Sequence, residues 1–216
     1  MVRVKICGIT QLEDLSTAAE SGAAYVGFVF HKNSPRNISL KEAEEIAYES
    51  PNGICKVALV VNPSDVELEN ILNKVPIDMI QLHGQESPER VYEIKRLTKL
   101  PLMKAIGVRS IQDLKFISDY SSVSDQLLID SKPPKNSELP GGNGTVFDWN
   151  ILKGFKWLKP WMLAGGLNSV NVMSAIKITG AEQIDVSSGV ESNVGEKSQK
   201  KIKTFLETVN GVKNGK

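Results

Sequence analysis

The chain has 216 residues, 41% of them hydrophobic, which is enough to fill the core of one large domain. Its 26 lysines and arginines balance 25 aspartates and glutamates, so no global field draws in nucleic acid or an anionic membrane, and an anionic ligand needs local donors. Arg3 and Lys5 sit inside an N-terminal strand pattern rather than a signal peptide, no apolar run reaches membrane-spanning length, and Cys7 and Cys55 fall on non-adjacent strands, so a reducing, cytoplasmic setting without a disulfide is expected.

Short β-rich runs alternate with segments of helical period. Val2 to Ile6 forms a first strand that delivers Cys7 and Gly8 at its end, and Thr10 with Glu13 predicts a capping box opening the first helix. The second strand, Tyr25 to Phe30, is followed by a polar loop containing Arg36, and Ser39 with Glu42 caps the next helix. Lys56 to Val61 is the third strand, and Ser64 with Glu67 repeats the box. The fourth, Met79 to His83, leads to a helix start at Ser87-Pro88, because proline at the first helical position forfeits no hydrogen bond. Leu102 to Ile106 is the fifth, followed by Ser110 with Asp113. The sixth strand, Gln126 to Asp130, precedes a long Pro- and Gly-rich loop and a short helix after Asp148. Trp161 to Ala164 and Gln183 to Ser187 are the seventh and eighth, with helices after Asn168 and from Lys197 to Val209.

Eight strand–helix units of about 25 residues, without hairpin signals between paired runs, predict a single-domain α/β protein, a (β/α)8 or TIM barrel over residues 1–209 with a polar tail at 210–216. The competing open doubly wound sheet usually carries a G-x-G-x-x-G turn, which is absent. Active sites of such barrels lie at the C-terminal mouth of the strands, so the reactive groups at strand ends are the candidates.

Cys7 ends strand one, with Gly8 permitting a tight exit and close approach of a ligand. A free thiol is mostly protonated at neutral pH, so a role as base requires a nearby cation or backbone dipoles. Asp130 ends strand six, obliquely across the mouth from Cys7, where an acid and a base would work on a substrate from two sides. Between them, Gly165-Gly166 and Ser187-Ser188-Gly189 follow strands seven and eight, the usual phosphate site of this fold, where backbone N–H groups hold an anion without requiring lysine.

Strand alternation turns Lys5 inward with Cys7, Gln81 with His83, and Asp185 with Ser187. A lysine inside a barrel needs a partner, and Asp185 on the adjacent strand is the expected one. His83 either lines the pocket or only hydrogen-bonds locally. Arg36 is either solvated surface or a bidentate grip on a carboxylate. Cys55, at the opposite end of its strand, reads as structural.

Taken in order, Lys5 to Thr10, Gln81-Leu82-His83-Gly84, Gly141 to Gly144 with Phe147-Asp148-Trp149, Leu163 to Leu167, and Asp185 to Glu191 resemble the phosphoribosylanthranilate isomerase family of tryptophan biosynthesis from strand one to strand eight. The resemblance implies an Amadori rearrangement of N-(5'-phosphoribosyl)anthranilate without metal or cofactor, with Cys7 as general base and Asp130 as general acid. It further implies Arg36 on the anthranilate carboxylate, Asp185 in a secondary pocket role, phosphate at the turns after strands seven and eight, and a small-molecule substrate as partner of a monomer or homodimer. One departure is Thr145-Val146 after Gly144, where the family often has lysine and then threonine or serine. The alternative of another class is a non-catalytic phosphosugar-binding barrel, in which drift would remove the acid or base first. A metal-dependent epimerase is disfavoured by the presence of only two histidines, His31 and His83.

Overall fold

The computed structural model describes residues 2–132, 141–142 and 144–211. Eight parallel strands close into a barrel in sequential order: β1 (Arg3–Cys7), β2 (Tyr25–Phe30), β3 (Cys55–Val60), β4 (Met79–Leu82), β5 (Leu102–Val108), β6 (Gln126–Ser131), β7 (Trp161–Leu163) and β8 (Gln183–Val186). Between them lie α1 (Leu12–Glu20), α2 (Leu40–Tyr48), α3 (Asp65–Lys74), α4 (Pro88–Thr98), α5 (Ile117–Ser121) and α6 (Val172–Thr179); α7 (Gln199–Asn210) follows β8. Three short 3-10 turns span Ile111–Phe116, Trp149–Leu152 and Ser188–Val190. Beyond the sequence expectation, a two-stranded antiparallel hairpin, β9 (Glu191–Asn193) and β10 (Glu196–Lys197), stands between β8 and α7.

Alternation along each strand separates two apolar layers. Val4, Ile6, Val26, Phe28, Leu127 and Ile129 pack outward against the helices in the larger core. Met103, Ala105, Leu128, Met162 and Ala164 fill the barrel interior with Tyr25 and Val57. Phe28 and Phe205 are fully buried, and each such side chain contributes about 2–3 kcal/mol through burial. β1 closes on β8 with Lys5 opposite Asp185 in register.

The predicted capping boxes at Ser39–Glu42 and Ser64–Glu67 form, and Ser87 caps α4 ahead of Pro88. That at Thr10–Glu13 does not: α1 begins at Leu12, with Gln11 as a cap that makes no side-chain bond. The amides of Gly8 and Ile9 both donate to Gly27 O, at 2.8 and 2.9 Å. This holds the chain in a tight exit from β1 and delays the helix past the point where Thr10 could cap it. Ser110–Asp113 caps a 3-10 turn rather than an α-helix. The last helix runs to Asn210, the first residue of the expected tail, whose remainder from 212 lies outside the described residues, as does 133–140 of the long loop after β6.

Candidate active site

The C-terminal ends of the strands converge on one cavity, lined among others by Cys7, Arg36, His83, Asp130, Asp185 and Ser188. Gly165, Gly166 and Ser187 also line it. Of the catalytic, substrate-binding and phosphate-binding residues expected from sequence, Gly189 alone is outside this lining. A side chain there would run into the Leu167 carbonyl, so that glycine lets the turns after β7 and β8 meet.

Cys7 is buried at the end of β1 with Lys5 two residues before it on the same face. Lys5 Nζ and Cys7 Sγ lie 3.0 and 3.1 Å from where a Cβ on Gly27 would stand, so a side chain at this point of β2 would press on the pair. Burial pushes the Cys7 thiol above its usual value, and the Lys5 charge opposes the rise. Lys5 Nζ in turn donates to Asp185 Oδ1 at 2.8 Å, the contact expected from alternation. Breaking a buried pair of this kind costs about 3–5 kcal/mol. Desolvation works against the Lys5 ammonium, but Asp185 and Cys7 more than offset it and hold its pKa above the ordinary value.

Asp130 ends on the other side of the cavity. Its Oδ1 accepts from Ser131 N at 2.7 Å, and its Oδ2 lies 3.3 Å from His83 Nε2. His83 does both things left open from sequence: it lines the cavity and pairs through Nδ1 with Gln81 Nε2 at 2.8 Å on its own strand. With Gln81 donating to Nδ1, a neutral ring carries its proton on Nε2 and turns a donor toward Asp130. The loop behind His83 is pinned from the outer layer, where Lys104 Nζ reaches Glu86 Oε2 and Gly84 O, both at 2.8 Å. Glu86 Oε1 then accepts from Asn62 N at 2.7 Å.

The glycines after β7 serve approach as well as turning. Gly165 has φ +92°, and a Cβ there would stand 2.8 Å from Ser131 N and 3.2 Å from Asp130 Oδ1. Glycine at this point therefore lets the turn pack directly on the acid. Thr145, standing where lysine is often found, contacts Ser131 through its hydroxyl at 3.1 Å.

Arg36 is neither solvated nor idle. Its stem covers Gly8, where a Cβ would stand 2.8 Å from Arg36 Cδ, so the space beside the β1 exit holds the arginine rather than ligand. Its guanidinium is paired with Glu191, Nε to Oε1 at 2.6 Å and Nη2 to Oε2 at 2.9 Å. Lys197 Nζ reaches the same Oε1 at 2.6 Å, and Ser187 O and Oγ at 3.2 Å. Ser187 Oγ in turn donates to Cys7 O at 2.9 Å. Glu191 and Lys197 were not singled out from sequence; the signal for them was the Asn193-Val194-Gly195 turn that folds the hairpin carrying both.

The family model for N-(5'-phosphoribosyl)anthranilate isomerase matches residues 4–208. The chain belongs to the N-(5'-phosphoribosyl)anthranilate isomerase family. It is 53% identical over 207 residues to the isomerase of Cereibacter sphaeroides, covering 96% of this chain and 98% of that one. It is 53% identical over 205 residues to that of Paracoccus denitrificans, covering 95% of each. The crystal structure of the Thermotoga maritima isomerase superposes with a TM-score of 0.85 at 36% identity, covering 98% of this chain and all of that one. A phosphoribosylanthranilate isomerase crystallised with reduced 1-(o-carboxyphenylamino)-1-deoxyribulose 5-phosphate superposes with a TM-score of 0.84 at 35% identity, over the same shares of the two chains.

Proposed function

We propose that this cavity carries out the Amadori rearrangement of N-(5'-phosphoribosyl)anthranilate, with Cys7 as base and Asp130 as acid. Membership of the family makes the chain an isomerase of tryptophan biosynthesis. The observation that carries the assignment of roles is that Cys7 and Asp130 face one cavity, with the turns after β7 and β8 in the same lining.

Asp130 protonates the ribose ring oxygen as the bond from that oxygen to C1 breaks, and the anthranilate nitrogen lone pair closes a C1=N iminium. The iminium acidifies the hydrogen on C2. Cys7, as thiolate, takes that proton, and the C–H electrons form a C1=C2 bond while the C=N pair returns to nitrogen. The resulting enolamine loses its hydroxyl proton and gains one at C1 to give the 2-ketone. Burial favours the neutral thiol in the free protein, and the iminium cation formed beside it then favours the thiolate when it is needed. Arg36 takes the anthranilate carboxylate, and the turns carrying Gly165, Gly166, Ser187 and Ser188 take the phosphate, Gly189 supplying backbone behind them. Asp185 holds Lys5 against the thiol, and His83 hydrogen-bonds Asp130.

The substrate is the partner this site accommodates, and the protein works as a monomer or homodimer. Free cysteines suit a cytoplasmic location, and among the described residues no helix is long and apolar enough to cross a membrane. The test follows anthranilate fluorescence during turnover by wild type, Cys7→Ser and Asp130→Ala. Losses of about 10²–10⁴-fold are expected in each variant, with the reduced product analogue still bound. Undiminished turnover in either variant would overturn the assignment of that residue, and an inactive wild type that binds the analogue would favour the binding barrel.

A further inference from the structure

We propose that Glu191 is the positioning residue that makes Arg36 selective for a ligand carboxylate, by engaging one edge of the guanidinium and leaving the other edge at the cavity. The inference rests on the isomerase reading of the site. Glu191 accepts Nε and Nη2, and Nη2 also donates to Gly142 O at 3.4 Å. A guanidinium has five N–H donors in a fixed fork, and three are thereby committed. The remaining two are on Nη1, which among the described residues has no hydrogen-bond partner. Nη1 stands 2.6 Å from the Cβ position of Gly142, a residue that lines the cavity.

The charge balance of the cluster points the same way. Lys197 Nζ donates to Glu191 Oε1, Ser187 O and Ser187 Oγ. Ser187 Oγ spends its own hydrogen on Cys7 O, so the nitrogen supplies all three hydrogens and is an ammonium. Two buried cations therefore share one side-chain carboxylate. Asp14, a buried carboxyl that feels the Lys197 charge, offsets part of that charge, and the Nη1 edge of Arg36 is the donor pair an anion in the cavity would meet. Without Glu191 the guanidinium would keep only the 3.4 Å bond to Gly142 O, and its direction would have to be fixed largely by the ligand itself. Arg36 is 5% exposed and Glu191 6%, so a ligand meets this arrangement preformed.

Binding is measured for reduced 1-(o-carboxyphenylamino)-1-deoxyribulose 5-phosphate and for its counterpart lacking the carboxyl group, in wild type, Glu191→Gln and Arg36→Lys. The Kd ratio of the two ligands is expected to shrink at least about tenfold in both variants, through weaker binding of the carboxylated ligand alone. With the natural substrate, KM rises by a similar factor while kcat stays within about threefold. Arg36→Lys keeps a cation but loses the fork, so it tests the premise that the fork selects the carboxylate and can overturn the proposal even if Glu191→Gln fails to fold. An unchanged ratio in either folded variant overturns the proposal, as does weakening of both ligands alike. Tighter binding of the carboxylated ligand by Glu191→Gln would show that Glu191 competes for Arg36, and also overturns it. A wild type that neither turns over substrate nor binds the reduced product defeats the isomerase reading first, whereas an active wild type with an unaltered ratio in the variants defeats only this inference.

Discussion

The thiol of Cys7 faces Lys5, Asp185 and Lys197, and its ionisation reflects the contest between burial and those charges. Burial is the largest influence and raises the pKa from the ordinary 9.0, Lys5 lowers it, Asp185 raises it and Lys197 lowers it. The thiolate fraction of the free enzyme thus rises about tenfold per pH unit across the neutral range, and the rate at which iodoacetamide alkylates Cys7, followed by peptide mass, should climb with pH through 7 to 9. Gly27→Ala sharpens the test, since its Cβ would stand 3.0 Å from Lys5 Nζ and 3.1 Å from Cys7 Sγ and would press the two flexible ends apart. The rising limb of its alkylation profile should move to higher pH, lowering the alkylation rate at pH 7 by about tenfold for each unit of displacement. A limb that does not move would show that Lys5 exerts no hold on the thiol.

At the scale of elements, three identical-looking start signals have different outcomes. Ser39 and Ser64 each accept the amide three residues on and are repaid by a glutamate, whereas Thr10 sits upstream of a helix that starts at Leu12. Ser64→Ala should therefore cost about 1 kcal/mol in urea unfolding, and Thr10→Ala less than about 0.5 kcal/mol. The capping rule reads local spacing only. What displaces α1 is the double hydrogen bond of Gly8 and Ile9 to a carbonyl on β2, a partner some twenty residues away along the chain that no local pattern includes. The hairpin β9–β10 is a similar case. Its strands are too short for a period to show, yet it delivers Glu191 and Lys197 to the cluster around Arg36.

For the whole molecule, that cluster also ties acid stability to the site. Burial alone would raise the Glu191 carboxyl, but the Arg36 hydrogen bonds and the Lys197 charge outweigh it and bring the pKa down to about 2. Asp113 also reaches about 2: burial opposes the fall, while the Arg109 and Ser110 amides and Lys132 drive it. A carboxyl depressed in the folded state lends stability that is complete above its unfolded value, near 4.5 for glutamate, and is lost as pH falls toward 2. Glu191 accounts for about 3 kcal/mol of this. The urea midpoint of the wild type should therefore fall steeply between pH 4.5 and 2, and Glu191→Gln should show a shallower fall over that range from a lower starting stability. Equal slopes would mean that Glu191 is not held down by its partners.

Alternation of strand and helix, and the period of two within each strand, by themselves determined the barrel, its inward face and most residues at its mouth. Cys7, His83, Asp130, Asp185 and the Gly-Gly turn all stand on strand ends, where one-dimensional position translates directly into a place in space. Lys5 meeting Asp185 could be expected because β1 and β8 must adjoin once the barrel closes. Only the tertiary structure decided what Arg36 pairs with, since its partner Glu191 lies 155 residues away on a hairpin outside the barrel repeat. The same holds for Gly8, Gly27 and Gly165. From the sequence Gly8 and Gly165 were turn or ligand-approach glycines and Gly27 only a strand residue, but in the fold they are the spaces that admit Arg36, the Lys5–Cys7 pair and Asp130. Periodicity fixes which way a side chain points, whereas the distance to a side chain from another loop is set by barrel closure and by how closely the loops pack, and neither is a property of any local stretch of sequence.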